Sequence, residues 1–69
     1  MLLLKVNGHK LMCYMAEQEI TQDALTKRAK ITARTVQKAI RGIGIQPIAI
    51  GKIANALGVS LGDLLEVQQ

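Results

Sequence analysis

The side chains best suited to chemistry crowd into the middle of the chain. Lys27, Arg28, Lys30, Arg34, Lys38 and Arg41 follow one another there, and Lys52 stands further on. No acidic residue interrupts them between Ala24 and Gly62: Glu17, Glu19 and Asp23 come before, Asp63 and Glu66 after. Ammonium and guanidinium groups attract anions, and the guanidinium fork adds two-point hydrogen bonding to paired acceptors. The chemistry of this stretch is anion recognition. Catalysis has little to work with, since the chain holds one His and one Cys and keeps its carboxylates toward the ends. One His and one Cys cannot supply a zinc site between them, so no metal and no cofactor is expected.

The cations act together only if an element gathers them on one side. With Ala33 at zero and a step of ~100° per residue, Val36, Ala39 and Ile40 cluster near roughly 290°. Arg34, Gln37, Lys38 and Arg41 cluster near roughly 90°, almost opposite. The spacing predicts a helix over 33–41, capped by Thr32, with one apolar and one basic–amide face. A shorter helix precedes it over 22–29, opened by Thr21, with Asp23 in its first turn and Lys27 and Arg28 in its last, as the helix dipole favours. Leu25 and Ala29 are its inward pair.

The rest of the chain reads as a frame. Asn7 caps a helix over roughly 8–19, with Leu11 and Met15 on one face and Met12 and Tyr14 beside it. The residue after Ala29, Lys30, opens a short turn, and Gly42 and Gly44 stop the basic helix. Pro47 begins a helix to Leu57 with Ile50, Ile53, Ala54 and Leu57 inward. Gly58 stops it, and Ser60 with Asp63 forms a capping pair for a last helix over 61–67. Met12 and Met15 read as core, His9 as surface, Cys13 as a small core or near-surface residue, and Tyr14 as packing.

Length and composition bound the answer further. At 69 residues, 49% apolar, the chain has room for one domain. A single Cys permits no internal disulfide and suits a reducing, cytoplasmic compartment. No apolar run is long enough for a membrane span, and Met1–Leu4 is too short and lacks a basic lead-in for a signal peptide. With no Phe, no Trp and one Tyr, stacking of unpaired bases is not the binding device. The formal charge of +4 suits an anionic partner.

Two helices joined by Lys30-Ile31-Thr32, the second with a basic outer face, have the form of a helix-turn-helix. An α-helix fits the major groove of B-DNA, arginine bridges guanine acceptors and glutamine the adenine edge. From Val6 to Leu65 the chain resembles the Cro/repressor-type (XRE-like) helix-turn-helix family. The resemblance is carried by Ile20-Thr21-Gln22, Ile31-Thr32, Arg34-Thr35-Val36-Gln37, Gly42, Pro47, Lys52 through Ser60, and Leu64-Leu65. It implies an all-α, λ-repressor-like bundle of five short helices over 7–69, behind an N-terminal arm over 1–6. It implies a transcriptional regulator that binds double-stranded DNA sequence-specifically, a repressor on a palindromic operator, acting as a homodimer near the nucleoid. The alternative is an antitoxin or other partner-binding module on the same fold.

By that resemblance the DNA-binding residues are Gln22, Thr32, Ala33, Arg34, Thr35, Gln37, Lys38 and Arg41. Gln22 contacts a phosphate. Ala33, Arg34 and Lys38 stand where members read base edges, with Thr35 and Gln37 flanking them. Arg41 stands at a backbone contact. Lys27, Arg28 and Lys30 are either solubility charges or peripheral phosphate contacts. Leu2–Val6 either folds back over the core or pairs with another subunit, and Ile43, Ile45 and Ile48 offer a dimer contact.

Three positions depart from the family pattern. Met15 and Ile40 replace an Arg–Glu pair, which reads as an apolar contact substituting for an ion pair. Lys30 stands where Gly is common, and a left-handed conformation there would cost roughly 1–2 kcal/mol. Thr26 replaces Ala, with a hydroxyl able to bond back to the preceding turn.

Overall fold

The computed structural model describes residues 2–65. Five helices follow in order: α1 (Gly8–Glu17), α2 (Gln22–Ala29), α3 (Ala33–Ile40), α4 (Pro47–Leu57) and α5 (Leu61–Leu64). Their starts follow the side-chain chemistry. Asn7 accepts the Lys10 N–H at 3.2 Å, Thr21 that of Ala24 at 3.1 Å, and Thr32 that of Thr35 at 3.2 Å. Pro47 opens α4, where a missing N–H costs nothing. At α5 the Ser60 N–H donates to the Asp63 carboxylate at 3.3 Å.

The helix ends share one device. After each of α1 to α4 a residue enters the left-handed region: Glu19 at φ 54°, Lys30 at 59°, Gly42 at 75° and Gly58 at 70°. The next N–H then reaches back across the last turn. Ile20 donates to Met15 O at 3.0 Å, Ile31 to Thr26 O at 3.2 Å, Ile43 to Lys38 O at 2.9 Å and Val59 to Ala54 O at 3.0 Å. These are Schellman closures, each bringing an apolar residue back against its helix. Two of them use Gly and two do not.

The second kind explains where α1 differs from expectation. It ends at Glu17, two residues short of the expected end at Glu19, because Glu19 itself takes the left-handed turn. No Gly or Pro signals that stop. α3 likewise ends at Ile40, with Arg41 as the first residue outside. α5 ends at Leu64 rather than Val67: Leu65 is extended and pairs with the N-terminal segment, and 66–69 lie outside the described residues.

The core runs through all five helices. Leu11, Leu25, Val36, Ile50, Ile53 and Leu64 are fully buried, with Met15, Ala39 and Leu57 around them. α2 packs on α4 and α3, α1 on α3, and α5 closes against α1 and α4. The N-terminal segment joins this core and folds back within its own chain. Leu4 and Ile45 exchange both backbone hydrogen bonds at 2.9 Å, the Asn7 N–H donates to Leu64 O at 2.7 Å, and Val6 is completely buried. Ile45 is therefore core, while Ile43 and Ile48 stay exposed. Met12, read as core from its spacing, is instead 53% exposed on the outer side of α1. Cys13 is exposed as well.

Close approach of α1 and α3 depends on one glycine. A Cβ on Gly8 would collide with the carbonyl oxygen of Ile40, so the start of α1 can rest on the end of α3 only without a side chain there. The position of α3 relative to the rest of the domain is thus set from below by Gly8 and Val36, leaving its other side to solvent.

Candidate nucleic-acid interface

α3 has the two faces expected of it. Val36 and Ala39 are buried, and Ile40 is half-buried against the core. Ala33, Arg34, Gln37 and Lys38 are exposed, as is Arg41 just beyond the helix. None of the Arg34, Lys38 or Arg41 side chains lies within ion-pair reach of a carboxylate among the described residues. Their charge is uncompensated and directed to solvent.

The start of α3 is held by a hydroxyl pair. Thr32 Oγ1 and Thr35 Oγ1 lie 2.9 Å apart, while Thr32 Oγ1 also accepts the Thr35 N–H. Two hydroxyls carry two protons and their mutual bond uses one, so one O–H donor of the pair remains directed elsewhere. Thr32 is exposed and Thr35 half-buried.

Grooves flank the exposed side of α3 on both sides. One, of about 240 Å³, is lined by Gln22, Gln37, Ile40 and Arg41. The other, of about 290 Å³, is lined by Leu3, Thr35, Lys38, Gly44, Ile45, Gln46 and Ala49. The fold therefore brings Gln22, at the start of α2, beside Gln37 and Arg41, although nineteen positions separate Gln22 from Arg41 in the chain. Thr26 anchors this side of α2 by donating its hydroxyl to Gln22 O at 2.8 Å, the back-bond expected of it. On the far side Gln46 and Gly44 join Lys38. Sequence reasoning missed both of them, since only the chain reversal at Gly42 and the pairing of Ile45 with Leu4 carry them there.

Lys30 is left-handed at the end of α2, where the chain turns toward α3. Arg28 and Lys30 line neither groove beside α3, and Lys27 pairs with Asp23 at 3.5 Å on the outer side of α2. Among the described residues no cluster of His, Cys, Asp or Glu is placed to hold a metal ion, and no helix is long and apolar enough to cross a membrane.

An exposed basic helix flanked by two grooves and seated on a second helix defines a helix-turn-helix protein. Residues 10–69 match the family of Cro/C1-type helix-turn-helix DNA-binding domains, and the chain belongs to that family. DNA binding in the service of transcription regulation is the work of this class. No curated protein and no solved structure matches the chain significantly.

Proposed function

We propose that this protein is a sequence-specific transcriptional repressor that inserts α3 into the major groove of duplex DNA. The observation that carries the reading is the solvent-facing array of Arg34, Gln37, Lys38 and Arg41 opposite the buried Val36–Ala39 stripe. Arg34 and Lys38 read base edges, with Arg34 able to bridge guanine O6 and N7. The Ala33 methyl meets a thymine methyl. The two grooves beside α3 receive the two phosphate strands that border a major groove. Gln22 and Arg41 bind one strand, with Gln37 between them and the bases. Thr35, which lines the other groove beside Lys38, meets the second strand with its hydroxyl. Repression follows from occupancy alone, and the protein works in the cytoplasm at the nucleoid.

The working unit is a homodimer on a palindromic site. Its support is the exposure of Leu2, Leu3, Ile43 and Ile48, at 71%, 50%, 45% and 72%, around the paired Leu4–Ile45 segment beside α3. Apolar area of this kind is removed from water by a second copy.

Selection from a random duplex pool, followed by affinity measurements across salt concentrations, tests the reading. A palindromic motif is expected, with half-sites about one helical turn apart. Weak, purely salt-controlled binding with no motif would refute it and turn attention to a protein partner for Leu2–Val6 and the 43–48 connection.

A further inference from the structure

A larger groove lies away from α3. It encloses about 400 Å³ and is lined by Arg28, Ala29, Lys30, Lys52, Asn55 and Ala56. It shares no residue with the grooves beside α3. Arg28 lies six positions after Gln22, so they stand roughly 120° apart round α2, with the buried Leu25–Ala29 stripe between them. α2 thus turns Gln22 toward α3 and Arg28 toward α4. The Arg28 side therefore lies outside the α3 surface proposed above for DNA, a reading on which this inference rests.

The charge of this groove is one-sided. Arg28, Lys30 and Lys52 border it and no carboxylate does, while the ion pair seen among the described residues joins Lys27 to Asp23 elsewhere. Three exposed cations with no carboxylate among them raise the local positive potential and favour an anion beside them. The floor narrows the choice of anion. Ala29 is buried and Ala56 half-buried, so an apolar strip runs between the cations, with the Asn55 amide at its side. A duplex is a wide convex rod whose phosphates would meet only the rim. A single nucleic-acid strand would find no ring to stack on, since no aromatic residue lines the groove. An extended peptide is narrow enough to enter. It can rest aliphatic carbons on the alanines, offer carboxylates to the three cations and pair its backbone with Asn55.

We propose that the α2–α4 groove binds an acidic peptide segment of a partner protein, leaving α3 free for DNA. The contact consists of exposed charge pairs, so it is modest in strength and weakens with added salt.

The test uses the full chain and a short fluorescein-labelled peptide of alternating Glu and Ala, followed by anisotropy at low salt, alone and with excess random-sequence duplex. The peptide is expected to bind in both conditions. The pair Arg28→Glu and Lys52→Glu should weaken it about tenfold or more, whereas Arg34→Ala with Lys38→Ala should leave it unchanged. Arg28→Gln with Lys52→Gln gives a milder second variant, and thermal melts confirm that each protein is folded. Displacement of the peptide by duplex, with loss following Arg34 and Lys38, would show that it mimics phosphate on α3 and overturn the proposal. Weaker duplex binding with unchanged peptide binding in the Arg28/Lys52 variants would make the groove a DNA-backbone contact, and absence of peptide binding would also refute it. A failure of α3 to select a DNA motif leaves each of these outcomes readable.

Discussion

Lys30, like Glu19, carries a backbone cost. A non-glycine residue at φ 59° places its Cβ against the following carbonyl, at roughly 1–2 kcal/mol. Lys30→Gly removes that strain while loosening the unfolded chain, so a net gain of about 1 kcal/mol is expected. In a domain of this size that raises Tm by about 4–8 °C, measurable by circular dichroism. A fall in Tm would mean that the Lys30 side chain contributes more than its backbone loses. Arg34 tests the other kind of residue effect. It is exposed and has no ion-pair partner among the described residues, so Arg34→Ala should leave Tm unchanged. In the proposed reading it relaxes the selected motif at one position, with about 1–3 kcal/mol of discrimination lost there. A uniform loss of affinity across sequences would instead make Arg34 a phosphate contact.

At the scale of elements, the seating of α3 on α1 decides whether the basic face is presented at all. Gly8→Ala drives a methyl into the Ile40 carbonyl and must push the two helices apart, costing about 1–3 kcal/mol in a urea titration. An unchanged midpoint would show that the helices yield freely. α1 and α3 also carry Met15 and Ile40, the two positions read above as an apolar substitute for an ion pair. Met15 is 7% exposed in the core, and Ile40 is half-buried against that core. Ile40→Glu should therefore destabilise, by about 1–3 kcal/mol because a partly solvated carboxylate escapes the full burial penalty. Adding Met15→Arg should recover much of the loss, and a double variant no better than the single one would refute the pairing. At this scale the elements were legible where they carry side-chain punctuation. Asn7, Thr21, Thr32 and Pro47 each mark a start that the structure repeats. The end of α1 was not legible, because Glu19 closes it in a conformation that glutamate seldom adopts and no local residue announces.

For the molecule as a whole, the arm and the connection after α3 set how two copies could meet. Ile48 is 72% exposed and contributes nothing to the core, so Ile48→Glu should leave the monomer folded. If the proposed dimer uses this surface, sedimentation should show the change shifting the molecule toward monomer, and half-site affinity should persist. With about three phosphate contacts per subunit, wild-type binding to a full site should follow a log–log salt slope of around −5. A slope half as steep on the full site would indicate that one subunit binds at a time. Core truncation in the arm is the complementary test: Val6→Ala should lower stability by about 1–3 kcal/mol, since Val6 is wholly buried despite its place near the chain end.

Period and punctuation in the sequence sufficed for the number and order of the helices, for their inward stripes, and for the two faces of α3. These are local matters: ~100° per residue and the hydrogen-bonding needs of helix ends act within a few positions. The resemblance to the Cro/repressor type rested on the same local signals and was confirmed over residues 10–69. What lay beyond local reach was decided by packing. Only the folded chain pairs Leu4 with Ile45 and so makes the arm part of the core, and only it turns Met12 outward while keeping Met15 within. It alone sets Gln22 beside Arg41 and places Gln46 near Lys38. It also gathers Arg28, Lys30 and Lys52 round a second groove, because distant segments share a surface only after the apolar stripes have chosen their partners.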